Sequence, residues 1–246
     1  MPSFNDIKQW TYYQEENAKK IIKTDIFNIN DVVYIAGLDI SFDITDNSNR
    51  KACAYITVYD CIQKKIVYED YKLCILTIPY VSGFLGFREV PEYLKLLTKL
   101  KETKPEFYPH VLQVDGCGIL HHRGFGSASH VGFVTGLPSI GVAKTLLHID
   151  GLNEKECKAL CETTCLHVGD YNHLIGESGK LYGVALKSSS SADNPIYVSI
   201  GHNISLESAI KLTLKTCQYR IPEPIRNSDI KSRNILSSSL ALATGL

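Results

Sequence analysis

The sequence predicts one α/β domain built around a mixed sheet. Two observations predict it. Three strand-like segments come first, and short apolar strands then alternate with helical stretches, the pattern of a sheet that opens antiparallel and continues through crossovers. No linker or internal repeat divides the 246 residues, a length at which a single domain buries roughly 70–75% of its unfolded surface. One domain over residues 1–246 is therefore expected, flanked by helices and ending in a Ser/Ala/Leu-rich tail at about 237–246 that should fray.

Taken in order, Asn5 can cap a helix carrying Ile7, Trp10, Tyr13, Ala18 and Ile21 to about Lys23. Val32–Phe42 is dense in apolar and β-branched residues and reads as a strand. Ala52–Tyr59 and Lys65–Leu73 read as two more around a polar turn. Phe87–Thr103 places Val90, Tyr93, Leu94, Leu97 and Leu100 on one helical side. Val111–Val114 reads as a buried parallel strand, Gly126–Gly136 as a helix, Ser139–Ala143 as a strand and Glu154–Leu166 as a helix. Leu181–Leu186 and Ile196–Ile200 are late strands joined by the Ser188–Asn194 loop. Ser205 can cap a last major helix to about Cys217.

Composition sets limits on function. Hydrophobic residues make up 44% of the chain, which excludes a disordered polymer. No apolar run reaches the ~18 residues of a membrane span. Acidic and basic residues balance at 26 each, so bulk charge does not drive a histone-like association. The C-terminal part is locally basic: Lys211, Lys215, Arg220, Arg226, Lys231 and Arg233 outnumber Glu223 and Asp229, which suits either a phosphate-bearing partner or a solvated helix face. The N-terminus shows no basic-then-apolar leader, so the cytoplasm is the expected compartment, with the nucleus second. The eight cysteines lack the dense spacing of a secreted scaffold and are expected to be reduced. Cys157, Cys161 and Cys165 fall on one helical stripe, but without the spacing of a structural zinc motif, and no zinc is expected there.

Three acids stand in apolar settings. Asp39 lies inside the strand Tyr-Ile-Ala-Gly-Leu-Asp-Ile-Ser-Phe, where a carboxylate is costly unless paired. Asp115 ends the strand Val-Leu-Gln-Val-Asp and is followed by Gly-Cys-Gly, which lets a ligand approach the backbone. Glu89 opens a helix after Gly-Phe-Leu-Gly-Phe-Arg. Each alone also suits a structural role, a turn cap for a strand-end Asp or a helix-dipole partner for a first-turn Glu. Together they can converge. Three carboxylates plus waters suit Mg²⁺, which takes hard oxygen ligands at about 2.0–2.1 Å and can activate water against a phosphate.

At these residues the chain resembles the endonuclease V family, inosine-directed nucleases with an RNase H-like fold, and more closely its animal members. The likeness runs from about Val33 to Asp229. It rests on Gly37-Leu38-Asp39-Ile40-Ser41, Pro79-Tyr80-Val81-Ser82-Gly83-Phe84-Leu85, Phe87-Arg88-Glu89, Val114-Asp115-Gly116-Cys117-Gly118, His121-His122-Arg123-Gly124-Phe125-Gly126, Gly141-Val142-Ala143-Lys144, Gly201-His202 and Ile221-Pro222-Glu223-Pro224, in that order.

The resemblance implies a Mg²⁺-dependent endonuclease, with Mn²⁺ as a substitute, that cuts the second phosphodiester 3′ to an inosine and leaves 3′-hydroxyl and 5′-phosphate ends. It assigns Asp39, Glu89 and Asp115 as catalytic metal-binding acids, Asp229 as a fourth metal-proximal acid, and Lys144 as the lysine that holds the scissile phosphate or orients water. His202 is expected to hydrogen-bond in the same site, a satisfied core histidine being the alternative. Gly83, Leu85, Gly116 and Gly126 match the base pocket, and Tyr80 the aromatic wedge that fills the gap left by an unstacked base. His121 and Arg123 are expected to hold backbone or phosphate beside the glycine-rich loop. Val81-Ser82 and His122 depart from the bacterial pattern, which has a second proline after the wedge and a proline beside the first histidine. These departures resemble the animal branch and imply inosine-containing RNA as the preferred substrate, with inosine-containing DNA as a further one. The alternatives are a DNA-repair enzyme acting on deoxyinosine, an RNase H-type enzyme cutting RNA–DNA hybrids, and a non-cleaving inosine-RNA binder.

Overall fold

The structure is a computed structural model that describes residues 2–43 and 50–244, with side chains to residue 239. One sheet of eight strands organises it, in the order β3-β2-β1-β4-β5-β8-β7-β6. Strands β1 (Tyr34–Phe42), β2 (Lys51–Asp60) and β3 (Lys65–Ile75) form the expected antiparallel opening. β4 (Val111–Asp115) and β5 (Ser139–Ala143) join in parallel, after which β8 (Ile196–His202), β7 (Leu181–Leu186) and β6 (Tyr171–Ile175) extend the sheet antiparallel.

Alternation along β1 and β4 divides the core. Ala36, Leu38, Leu112 and Val114 face helices α2 (Leu85–Thr103) and α3 (Ser127–Thr135) through Tyr93, Leu97, Ala128 and Val131. Ile35 and Val111 face the other layer, with Ile210 and Leu212 of α5 (Leu206–Thr216) and Ile225 of α6 (Glu223–Thr244). Helix α4 (Glu154–Thr164) covers the β6 end, where Cys161 and Cys165 pack with Leu174 and Tyr197.

Three departures from the sequence expectations have physical causes. Helix α1 (Phe4–Ala18) is capped by Ser3, not Asn5, because Ser3 and Asp6 form a reciprocal capping box. It ends at Ala18, short of Lys23, because the following backbone is recruited elsewhere. The Ile22 N–H donates to His202 Nδ1, and the Ile22 carbonyl accepts the Asn203 N–H at 2.8 Å. Strand β6 and helix α6 were not expected. β6 has a polar Asn-His centre, and α6 opens with prolines, which its first turn tolerates. Residues 237–244, the expected fraying tail, continue α6, and residues 245–246 lie outside the described residues.

Helix α6 approaches β1 unusually closely. A Cβ on Gly37 would stand 2.1 Å from the Pro224 carbonyl carbon, so glycine is required there. Ser228 Oγ donates to the Gly37 carbonyl at 3.1 Å. This contact seats the helix that carries Asp229.

Candidate active site

Strand register assembles the acids. β1 and β4 pair with Leu38 opposite Val114, so Asp39 and Asp115 stand next to each other on neighbouring parallel strands. Lys144 follows the end of β5. Its ammonium bridges Asp115 Oδ2 at 2.6 Å and Asp229 Oδ2 at 2.7 Å. Asp229 is also held by Arg233, one turn later on α6, at 2.6 Å. Glu89 reaches the group from α2 and accepts the Ser127 hydroxyl at 2.9 Å. Ser232 of α6 lies 3.4 Å from Asp39.

Lys144 and Arg233 pair with Asp115 and Asp229, and burial has electrostatic consequences for the other two acids. Asp39 is 8% exposed and Glu89 6%. Burial, then the charges of Asp115 and Asp229, push Asp39 up to about 7, against the pull of Lys144 and the Ile40 N–H. Burial pushes Glu89 up to about 8, with Ser127 opposing and Asp39 and Asp115 adding to the rise. Burial alone would depress the Lys144 ammonium, but Asp115 and Asp229 outweigh it and raise it above the ordinary lysine range. Such a cluster is short of positive charge. All its donors are hard oxygens, so it fits a divalent Mg²⁺ or Mn²⁺ ion chemically. Among the described residues, no three acidic, histidine or cysteine side chains stand close enough to hold an ion as they are placed. Lys144 occupies the space between two of them.

A cavity of about 510 Å³ opens beside the acids and is lined by Glu89, Asp115 and Lys144 on one side. Gly83, Leu85, Gly116 and Gly126, which the resemblance matches to a base pocket, line it too, as do Tyr80 and His121. Tyr80 is 58% exposed at the mouth and free to meet a ligand face. Gly83 has φ +79° and occupies the third position of a turn closed by the Phe84 N–H to the Val81 carbonyl at 3.0 Å.

His121 and Arg123 hold backbone, one of the two roles expected of them. His121 Nδ1 accepts the Arg123 N–H at 3.3 Å, so Nε2 carries the proton and donates to the Gly83 carbonyl at 3.0 Å. Burial, reinforced by Arg123, pushes His121 down to about 4, so the ring is neutral. Arg123 Nη2 donates to the same carbonyl at 2.7 Å, and its guanidinium stacks on Phe84 at 4.2 Å.

His202 does not join the site. β8 runs antiparallel to β5 and pairs His202 with Ser139, the first residue of β5, whereas Lys144 follows the last. The histidine therefore sits at the opposite end of the sheet, against Phe133 and the Ile22 N–H, as a satisfied core group.

Four contributing residues carry no sequence signal of their own. Ser127 opens α3, Ser232 lies on α6, and Gln14 comes from α1. Arg220 clamps the Lys144 carbonyl at 2.7 Å and the Pro195 carbonyl at 2.8 Å. Cys161 and Cys165 are buried, and both thiols lie within reach of the Asn172 amide, at 3.5 and 3.3 Å.

The family profile of endonuclease V matches residues 15–230. Human endonuclease V is 47% identical over 212 residues, spanning 85% of this chain and 73% of that protein. The crystal structure of its catalytic domain superposes with a TM-score of 0.91 at 40% identity, covering 98% of this chain and all of that one. Ciona intestinalis endonuclease V, solved with a 23mer DNA containing an inosine followed by a ribo-adenosine, also superposes at 0.91, with 33% identity over 96% of this chain and 99% of that one.

Proposed function

The chain belongs to the endonuclease V family, with its RNase H-like fold, and from that premise we propose that it is an endonuclease directed to inosine, in single-stranded RNA before DNA. In this reading it hydrolyses the second phosphodiester 3′ to the inosine, leaving 3′-hydroxyl and 5′-phosphate ends. The observation that carries the proposal is the juxtaposition of a base-sized cavity with a buried, charge-crowded group of acids along one wall.

Asp39, Glu89 and Asp115, with Asp229 beside them, are the residues that would hold Mg²⁺, whose bound form lowers the pKa of water and neutralises charge on a phosphate under attack. The chain's own groups do the rest. Lys144 stays protonated under its two carboxylates and offers an ammonium at the cavity wall where a phosphate oxygen would gain charge. Ser127 holds Glu89 in place. The backbone of the Tyr80–Leu85 turn reads the base edge, since inosine presents O6 and N1–H where adenosine presents N6–H₂ and N1. Tyr80 stacks into the gap that the displaced base leaves.

The preference for RNA rests on three supports. The Val81-Ser82 wedge lacks a second stiffening proline and suits strands that cost little to unstack. Zero net charge gives weak general attraction to duplex. The Ciona intestinalis protein's ligand carries a ribose immediately after the inosine, and the 2′-hydroxyl is the group that distinguishes the polymers.

The test uses matched RNA and DNA oligonucleotides with inosine or adenosine at one position, with and without Mg²⁺. The inosine RNA should be cut fastest and only with the ion. A DNA strand with one ribonucleotide 3′ of the inosine should recover most of the RNA rate. Equal rates on all-DNA and RNA strands would replace this reading with one of DNA repair.

A further inference from the structure

The Gly83 carbonyl accepts three hydrogen bonds at once. His121 and Arg123 supply two, and the third comes from Gln14 Nε2 of α1, at 3.0 Å across 69 residues of chain. The same nitrogen donates to the Phe125 carbonyl at 3.0 Å, across 111 residues. Gln14 Oε1 accepts from Arg123 Nε. Gln14 is 2% exposed, and both of its amide protons are used, so the buried side chain has no donor left for a base.

Gly83 and Gly126, the residue after Phe125, both line the cavity. Gly83 closes the turn that follows Tyr80, and Phe125 immediately precedes Gly126, the cap of α3. Two carbonyl oxygens bonded to one nitrogen can be no further apart than twice the bond length. One side chain thus sets the spacing of two loops that border the cavity. Gln14 stands one residue before the stretch that the family profile covers. We infer that Gln14 is a positioning residue for base discrimination, acting through the Gly83 and Phe125 backbone and not by touching the base.

The inference rests on the inosine-directed reading above. Backbone groups can tell inosine from adenosine only if they hold a fixed position, because the two bases differ at a donor and an acceptor and hardly in shape. Releasing one wall lets the loop adjust to either edge. The acids lie on β1, α2, β4 and α6, and none of them bonds to Gln14.

The experiment compares wild type with Gln14→Met, which keeps volume and removes the polar contacts, and Gln14→Glu, which keeps the acceptor for Arg123 and removes both donors. The substrates are two single-stranded RNA oligonucleotides differing only by inosine or adenosine at one position. Both variants should lose about tenfold in the inosine-over-adenosine ratio of kcat/KM, the loss of roughly one well-made buried hydrogen bond. The loss should lie in KM for the inosine strand, with kcat changed less than about threefold. Should the ratio persist in either folded variant while only the melting temperature falls, Gln14 is structural and the inference fails. It fails too if kcat drops equally on both strands. A wild type without inosine preference would overturn the functional reading itself, a result visible before any variant is made.

Discussion

The two sides of the cavity are built on opposite principles. On the acid side, Lys144 bridges Asp115 and Asp229, while the carboxyls of Asp39 and Glu89 are held well above their usual range. On the base side, no acid is needed. Gln14, His121 and Arg123 saturate backbone carbonyls, and the histidine is kept neutral. The acid side crowds carboxyls together in a buried place, at a cost in stability. The base side holds fixed positions, and its hydrogen bonds stabilise the fold as they order it. Substitutions should therefore separate the two: on the acid side they abolish cleavage and stabilise, and on the base side they weaken binding and destabilise.

The largest effect is expected at Asp115→Asn. Loss of one ion-holding charge should cost several kcal/mol of transition-state stabilisation, about a thousandfold in rate. Substrate binding should survive, as read by single-turnover cleavage beside a filter-binding assay. Turnover at the wild-type rate in saturating Mg²⁺ would break the distinction between the two sides. Tyr80→Ala should act oppositely, weakening binding of an inosine strand by about 5- to 150-fold, the worth of roughly 1–3 kcal/mol of stacking. Its cleavage rate at saturating substrate should change little. Unchanged affinity with a lower melting temperature would make Tyr80 a packing residue.

Stability against pH sharpens the contrast without any substrate. The folded pKa of Glu89, about 8, lies above its unfolded value of about 4.3. The native state thus holds a proton that the unfolded chain releases, and this group's contribution is full below about pH 4 and lost as pH rises through 8. Without divalent ions, Glu89→Gln should raise the melting temperature increasingly across that window, by about 2–4 °C per kcal/mol relieved. No gain at pH 8.5 would show that the crowding is relieved some other way. His121 has the reverse sign. Its folded pKa of about 4 lies below the usual ~6.5, so its contribution is present above pH 6.5 and lost as pH falls through 4. The smallest effect is expected at the thiols under α4. Cys161→Ser should leave cleavage unchanged and cost only local packing at a thiol that burial pushes up to about 11. One tightly held zinc per chain, lost in that variant, would overturn the assignment of free thiols.

The sequence made the sheet's opening and the three acids legible because each breaks a local rule: a carboxylate in an apolar strand, or glycines after a strand end. Ser139–Ala143 and Leu181–Leu186 match the observed strands residue for residue. What stayed hidden obeys local rules and acquires meaning only by long-range contact. Gln14 is an ordinary polar helix residue until α1 meets loops 69 and 111 residues away. His202 misleads for the converse reason. Gly-His at a strand end resembles a site, but strand direction decides which end, and β8 runs the other way.

The seating of α6 on Gly37 also sets an order of assembly. A ribosome releases the chain N-terminus first, and the hydrogen bond from Ser228 to Gly37 joins residues 191 positions apart. Every residue lining the cavity, Gln14 through Leu147, has left the peptidyl-transferase centre before Asp229 is made. A nascent or prematurely terminated copy therefore has the cavity-lining residues but lacks the second carboxylate that holds Lys144. Translation ending before α6 yields a chain in which Lys144 has lost one of its two carboxylate partners and β1 the helix that Gly37 admits.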